Sequence, residues 1–253
     1  MSTTTSDDVL IITGAGRGIG AATALLAGRR GYRVCVNYRA DEASAAAVVD
    51  AVRAAGGTAI AVRADVSRTA EVERLFATVD AELGPLTGLV NNAGTLERQS
   101  RLEDIDEDRL NRIWAANITG PFLCSAQAVR RMSTRHGGRG GAIVNVSSAA
   151  SRLGSPNEYV DYAAAKGAVD SMTRGLALEV AAEGIRVNAV RPGLIHTDIH
   201  ALGGEPGRVE RVAPGLPMRR GGRAEEVAEA VLFLLSPAAS YTTGAFLEVS
   251  GGR

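Results

Sequence analysis

Tyr162-Ala-Ala-Ala-Lys166 places a phenol and an ammonium four residues apart inside a run that reads as helix, so both lie on one helix face. A tyrosine ordinarily titrates near ~10. Making it a proton-transfer group near neutral pH means stabilising its anion by roughly 4 kcal/mol, about three units at 1.36 kcal/mol each. A cation at about 4 Å supplies roughly that much at an effective dielectric near 20. A tyrosine packed on a core beside a solvated lysine gives the same spacing, so the pair gains meaning only from what the rest of the chain brings to it.

The second stretch able to do chemistry is Thr13-Gly14-Ala15-Gly16-Arg17-Gly18-Ile19-Gly20, between the apolar run at residues 9–13 and a helical pattern over 19–30. Glycines at 14, 18 and 20 let the chain turn tightly and let a pyrophosphate approach the N-terminus of the next helix, where free N–H groups and the helix dipole favour an anion. In such a fold the tip of the second strand, residues 33–38, meets the adenosine ribose. A carboxylate there marks NAD, and an arginine accommodates a 2′-phosphate. Here the tip is Tyr38 followed by Arg39, and Arg17 in the glycine turn can close on the same phosphate, so NADP is favoured over NAD.

These groups need elements to hold them. Strand-like runs at 33–38, 58–63, 86–91, 142–146, 185–190 and 245–249 follow the first, and they alternate with helical patterns at 41–55, 70–83, 106–135, 158–182 and 224–235. Alternation with connections this short predicts an α/β fold, a doubly wound parallel sheet of seven strands with helices on both faces. No linker or change in composition marks a second domain. The helical pattern at 106–135 is interrupted by Gly120-Pro121. Pro121 has no N–H for the carbonyl four residues back, that of Asn117, leaving this oxygen free to hold a water or simply letting the helix bend. Ser147 and Ser148 close the fifth strand, at the edge where such sheets bind ligands. Residues 136–141 read as a mobile glycine loop, and residues 194–222, rich in Gly, Pro and Arg, as a lid over the site.

Composition excludes several classes. Lys plus Arg and Asp plus Glu number 28 each, so no global field recruits nucleic acid or an anionic membrane. Residues 1–7 are polar and read as a disordered tail, no run is long and apolar enough to span a bilayer, and a cytoplasmic location is expected. Cys35 and Cys124 read as small buried hydrophobes without a disulfide. His196 and His200 have a spacing that could place two ligands on a helix, but they lack the further ligands of a zinc motif. No metal is expected.

Taken in order, Thr13-Gly-x-x-x-Gly-Ile-Gly20, Asn91-Asn-Ala-Gly94, Asn117, Ser148, Tyr162-x-x-x-Lys166 and Pro192-Gly193 with Thr197 resemble the short-chain dehydrogenase/reductases of about 250 residues along essentially the whole chain. The resemblance implies a Rossmann fold and a set of roles. Tyr162 would be the general acid and base, and Lys166 would bind the nicotinamide ribose and lower the tyrosine pKa. Ser148 would orient the substrate carbonyl, and Asn117 would hold a relay water through its main-chain oxygen. Gly14, Arg17, Gly18, Ile19, Gly20, Arg39, Asp65, Val66, Asn91, Ala93, Gly94, Pro192, Gly193, Ile195 and Thr197 would hold NADP(H) together with Tyr162 and Lys166. The family usually forms homotetramers through the long helices around Asn117 and Tyr162.

Two features depart from the pattern. The interval from Ser148 to Tyr162 is one residue longer than in many members, so either the loop through Gly154 and Pro156 bulges or Ser147 takes part, and Ser148 is the expected participant. Ser250 stands near the C-terminus where an aspartate is common. Ser148-Ala-Ala-Ser-Arg-Leu-Gly-Ser155 and Gly203-Gly-Glu-Pro-Gly207 resemble bacterial members labelled sugar or glucose dehydrogenases. The absence of aromatic residues between Leu194 and Arg223 favours a small or polar substrate. The expected function is NADP(H)-dependent oxidoreduction between a carbonyl and a secondary alcohol. The alternatives are a 3-oxoacyl carrier-protein reductase, with Arg130, Arg131, Arg135 and Arg139 meeting an acidic carrier, and a non-catalytic NADP-sensing module.

Overall fold

The first strand, β1 (Val9–Ile12), is apolar and buried at every position because both of its faces are covered. Successive side chains of a strand point to opposite sides. Leu10 and Ile12 pack with Val34, Val36, Val90 and Val144 on one face, while Val9 and Ile11 pack with Cys35, Leu89, Ile143 and Val187 on the other. A run of this kind belongs inside a sheet sandwiched between helices.

The computed structural model describes residues 8–253; residues 1–7, expected as a disordered tail, lie outside them. After β1 come α1 (Gly18–Arg29), β2 (Arg33–Tyr38), α2 (Glu42–Ala54), β3 (Thr58–Arg63), α3 (Thr69–Glu82) and β4 (Leu86–Asn91). The second half runs α4 (Glu107–Trp114), α5 (Gly120–Met132), β5 (Gly141–Val146), α6 (Ala150–Leu153), α7 (Val160–Val180) and β6 (Ile185–Pro192). It closes with α8 (Ile199–Leu202), α9 (Arg208–Val212), α10 (Ala224–Leu235) and β7 (Phe246–Val249). The strands form one seven-stranded sheet in the order β3-β2-β1-β4-β5-β6-β7, every neighbouring pair parallel. Helices α1, α2 and α10 cover one face through Ala24, Val52 and Val231. Helices α3, α5 and α7 cover the other through Phe76, Cys124 and Ala177. The winding reverses between β1 and β4, so a crevice opens at the carboxyl ends of these two strands.

Two expectations change. The interruption of the long helical stretch lies just ahead of Pro121: Ala115–Thr119 is a π-helical turn between α4 and α5, in which the Gly120 N–H reaches back to the Ala115 carbonyl. The extra residue in such a turn swings the helix and tends to mark functional positions. The glycine segment 136–141, expected as mobile, is a tight turn instead. Gly138 and Gly140 N–H groups donate to the Ser133 and Met132 carbonyls, and Gly141 donates to Gly184. These glycines permit close approach: a Cβ on Gly140, whose φ is +80°, would sit 2.5 Å from the Gly184 carbonyl oxygen.

Gly140→Ala therefore meets both a left-handed backbone and a backbone clash. Its urea midpoint is expected to fall by the equivalent of about 1–3 kcal/mol; an unchanged midpoint would show that the segment yields freely.

Candidate active site

The glycine turn is gripped from both sides by two asparagines. Gly14 and Gly18 take φ of +62° and +55°, a region open to glycine at little cost. At the end of β2, Asn37 Oδ1 accepts from the Gly14 N–H at 3.2 Å, and its Nδ2 donates to the Val62 and Ala64 carbonyls at 3.2 and 3.1 Å. Beyond β4, Asn92 Nδ2 donates to the carbonyls of Thr13 and Gly14 at 2.8 and 3.1 Å. Thr13 Oγ1 accepts from the N–H groups of Asn92 and Ala93, both at 3.0 Å. A side chain on Gly14 would strike Ala93 Cα at 2.9 Å, and one on Gly20 would strike Asn92 Nδ2 at 2.5 Å. The turn is thus fixed as a concave surface ahead of α1.

That surface opens onto a cavity of about 520 Å³ running along the carboxyl ends of the strands. Gly14, Arg17, Gly18, Ile19 and Arg39 line one end, and Ser148, Tyr162 and Lys166 line the other. Asp65, Val66, Ala93, Gly94, Pro192, Gly193, Ile195 and Thr197 lie along the walls. Three of the expected residues are outside the lining. Gly20 packs beneath the turn. Asn91 turns into the protein, its Nδ2 donating to Ser125 Oγ at 3.0 Å and Asn145 Oδ1 at 2.8 Å, and Asn92 takes the place in the cleft expected for it. Asn117 is fully buried in the π-helical turn, where Nδ2 donates to the Thr95 and Ile113 carbonyls at 3.0 and 2.9 Å. It still borders the cleft at one remove, since a Cβ on Gly94 would meet Asn117 Oδ1 at 2.7 Å and Lys166 Nζ at 3.6 Å.

Tyr162 and Lys166 lie on adjacent turns of α7, with Nζ 5.5 Å from the centre of the phenol ring. Nζ donates to the Val146 carbonyl at the end of β5, 2.8 Å away. Burial pushes the Tyr162 phenol up to about 12, opposed only by its hydrogen bond with Ser148. Burial also pulls the Lys166 ammonium down to about 8, against the attraction of Asp170. In the protein alone burial is therefore the dominant influence on the phenol, and no lowering by Lys166, which faces a backbone carbonyl, offsets it. Ser148 is the serine beside the phenol, whereas Ser147 Oγ donates to Asp170 Oδ1 at 2.6 Å beneath it. The extra residue before Tyr162 is absorbed in the loop, which is left-handed at Gly154, Ser155 and Asn157.

At the other end, Tyr38, Arg39 and Arg17 share the wall with Asp41. The Asp41 carboxylate is committed to capping α2: its oxygens accept from the Ser44 N–H at 3.0 Å and the Ser44 hydroxyl at 2.6 Å. On the side of segment 194–222, His196 is exposed toward Glu210. His200 is buried with Nε2 2.9 Å from the Ile195 carbonyl, so the neutral ring carries its proton on Nε2 and leaves Nδ1 without a partner. Among the described residues no group of three His, Cys, Asp or Glu side chains is arranged to hold a metal ion.

This constellation recurs in known proteins. A family model described as enoyl-(acyl carrier protein) reductase matches residues 14–253. An oxidoreductase of Escherichia coli K12 without an assigned substrate, YgfF, is 55% identical over 97% of this chain and 99% of its own. The chain belongs to the short-chain dehydrogenase/reductase family. A 3-oxoacyl-[acyl-carrier-protein] reductase of Synechocystis is 40% identical over 96% of each chain. The crystal structure of a short-chain type dehydrogenase/reductase from Mycobacterium marinum superposes with a TM-score of 0.90 at 33% identity, covering 97% of this chain and 94% of that one.

As a short-chain dehydrogenase/reductase the protein is an oxidoreductase that uses a nicotinamide cofactor. Its residues fit that group: the positive-φ glycines at 14 and 18 keep clear a floor that any side chain would fill, with Ala93 behind the first and Thr197 3.3 Å from a Cβ on the second. Sequence reasoning passed over Asn37 and Asn92, although each stands in an informative place, at the end of β2 and in the doubled Asn91-Asn92.

Buried Lys166 gives a pH signature. Between about pH 8 and the ordinary lysine value near ~10.4, the unfolded chain still holds a proton that the folded chain has released, so this group adds stability as pH rises through that window. The unfolding free energy of wild type relative to Lys166→Met is expected to climb by up to about 3 kcal/mol across it. A flat difference would mean that the bond to Val146 preserves the ordinary lysine value.

Proposed function

We propose that the protein is an NADP(H)-dependent oxidoreductase acting on a carbonyl or secondary alcohol of a small substrate such as a sugar, with Tyr162 as general acid and base. The observation that carries this reading is the convergence of Ser148, Tyr162 and Lys166 at one end of a cavity whose other end is the glycine turn with Arg17 and Arg39. The cofactor supplies a hydride to, or takes one from, the reacting carbon. The chain does the rest. Ser148 donates to the substrate oxygen and polarises it as charge develops. Tyr162, neutral far above physiological pH, gives that oxygen a proton in reduction and receives it in oxidation. Lys166 binds the nicotinamide ribose and carries the positive charge that helps the phenol release its proton. Asn117 holds the relay water through its main-chain oxygen, and segment 194–222 closes over the substrate as a lid.

NADP rather than NAD is supported by Arg39 just beyond the β2 tip and Arg17 in the glycine turn, with the neighbouring Asp41 carboxylate occupied by Ser44. A cytoplasmic homotetramer fits the exposed Phe122 on α5 and Leu178 on α7. Among the described residues no helix is long and apolar enough to cross a membrane.

The second reading, a 3-oxoacyl carrier-protein reductase, is favoured by the Synechocystis relative. Its expected docking arginines are partly committed, because Arg131 pairs with Asp80 at 2.7 Å and Arg135 faces Glu183 at 3.9 Å. A non-catalytic sensor has no use for the Ser148–Tyr162 pair. Nicotinamide absorbance with sugars, ketones and acyl thioesters separates the three.

Tyr162→Phe is expected to lose turnover with any substrate the wild type accepts while binding NADPH within a factor of about two; equal turnover would remove the mechanism. Arg39→Ala is expected to weaken NADPH at least tenfold, about 1.4 kcal/mol, and to leave NADH nearly unchanged by fluorescence titration. A wild-type preference for NADH would sink the cofactor assignment.

A further inference from the structure

The loop that carries the extra residue ahead of Tyr162 is strained. Besides Gly154, Ser155 and Asn157 take φ of +46° and +62°, a region that asparagine tolerates and that serine keeps only where the surroundings over-determine the backbone. The surroundings here are specific. The Glu158 and Tyr159 N–H groups donate to the Ser155 carbonyl at 3.2 and 3.0 Å, and the Ser100 N–H donates to the Glu158 carbonyl at 3.0 Å. Arg101 Nη1 donates to Asn157 Oδ1 at 3.2 Å.

What the strained loop presents is the Glu158 carboxylate, and it meets Arg208 on α9. Arg208 Nη1 donates to Glu158 Oε1 at 2.8 Å and to Glu205 Oε2 at 3.3 Å, while Nη2 donates to Glu158 Oε2. The guanidinium lies 5.2 Å over the Tyr159 ring, and the Tyr159 hydroxyl donates to the Gly203 carbonyl at 3.3 Å. Gln99 Nε2 adds a bond to Glu205 at 2.7 Å. One cation thus gathers three segments around the substrate end of the cavity, which Ser155, Tyr159, His200 and Arg208 all line.

An exposed ion pair contributes little to stability, and that description does not fit here. The Arg208 side chain is only 7% exposed, and the pair is two-pronged, the geometry that adds both strength and direction. Within segment 194–222, Leu194, Val209 and Leu216 form a small core of their own, and Ile195 near its start joins the main core, so the stretch around α9 is held to the body mainly by polar contacts.

We propose that Arg208 is a positioning residue that latches segment 194–222 to the strained loop ahead of Tyr162 through Glu158, so that closing the latch presses the substrate carbonyl onto Ser148 and Tyr162. The role in the reaction rests on the proposed oxidoreductase function. The latch itself does not.

Two readouts on the full-length protein test it. The first is limited trypsin digestion, followed at Arg211, Arg219 and Arg220, the sites inside the segment that every Arg208 variant keeps. Arg208→Met is expected to speed this cleavage at least tenfold with the global urea midpoint held, and Arg208→Lys to recover part of the protection. The second is steady-state kinetics with NADPH and the best carbonyl of the substrate panel. Arg208→Met is expected to raise KM at least tenfold while NADPH affinity stays within twofold. Glu158→Gln, which keeps the shape of the side chain, is expected to move both readouts in the same direction and serves if Arg208→Met does not fold. In the double variant the second change should add little to the first.

Unchanged cleavage and unchanged KM in both single variants would overturn the proposal. So would losses of KM and NADPH affinity that merely follow a lowered urea midpoint. If the wild type turns over no carbonyl at all, the oxidoreductase reading falls, and the cleavage rates alone decide the latch.

Discussion

Burial of two ionisable side chains next to each other is the constraint around which this site is arranged. Tyr162 and Lys166 both lie out of water on α7, and the absence of water disfavours the charged form of each. The tyrosine is thereby held as a proton donor and the lysine is made easier to discharge, so the protein has to supply a partner where water cannot. It does so with the Val146 carbonyl at the end of β5, which ties the catalytic helix to the sheet. Beneath it, Asn91 donates to Asn145, and Asn145 Nδ2 donates to Thr173 Oγ1 at 2.8 Å. This buried polar chain links β4, β5 and α7 in one register. Breaking a link of this buried chain would leave further polar groups unpaired, as Asn91 Oδ1 already is, and so the positions of Tyr162 and Lys166 are tied to the sheet.

The cofactor end follows the same logic with backbone in place of charge. A turn that binds an anion needs N–H groups pointing outward, and so its carbonyls must be satisfied from behind. Asn92 covers the carbonyls of Thr13 and Gly14, while Asn37 accepts the Gly14 N–H and anchors it to the edge of β3. The glycines make the conformation accessible, and the two asparagines make it the only one. A glycine pattern without such a brace describes a flexible turn, and rigidity is what distinguishes a binding surface prepared in advance from one that must be ordered on binding.

Most of the architecture was legible because it rests on local signals. The seven strands, their alternation with helices and the ends of β2, β3, β4 and α10 follow from apolar runs bounded by glycine and from helical spacing, and these signals agree with the tertiary arrangement. Ser148, Tyr162 and Lys166 were legible as a set because each stands at the end of a strand or at helical spacing. What was not legible depends on direction and solvent. Spacing places Lys166 beside Tyr162 but does not say that Nζ turns to Val146, nor how deeply the phenol is buried, and it is burial that raises the tyrosine. Of Asn91 and Asn92, adjacent residues on opposite sides of a strand end, the sequence gives no means to tell which faces the cleft. Gly138, Gly140 and Gly141 look like slack in one dimension and are close packing in three, against the Met132, Gly184 and Thr87 backbone.

The segment over the substrate end shows why such a device is built from ion pairs. Fully burying a Leu or Val contributes about 1.5–3 kcal/mol, and a broad apolar seam between segment and body would hold it shut against exchange with solvent. Leu194, Val209 and Leu216 instead pack the segment against itself, so it keeps its shape whether or not it is seated. The polar side-chain contacts to the body run from Arg208 and Arg211 to Glu158, from Glu205 to Gln99 and from the Gly203 carbonyl to the Tyr159 hydroxyl, while Glu205 braces both arginines from within the segment. Charged groups lose much of their mutual attraction on separation but regain water in return, so the difference between seated and lifted states stays small while the geometry of the seated state is sharply defined. A segment held in this way can admit a substrate and still return to one position, and the same loop that sets this position carries Tyr162 three residues beyond Tyr159. The left-handed backbone at Ser155 and Asn157 is held by the bonds to the Ser155 carbonyl and by Arg101, and it is this backbone that presents Glu158 to Arg208.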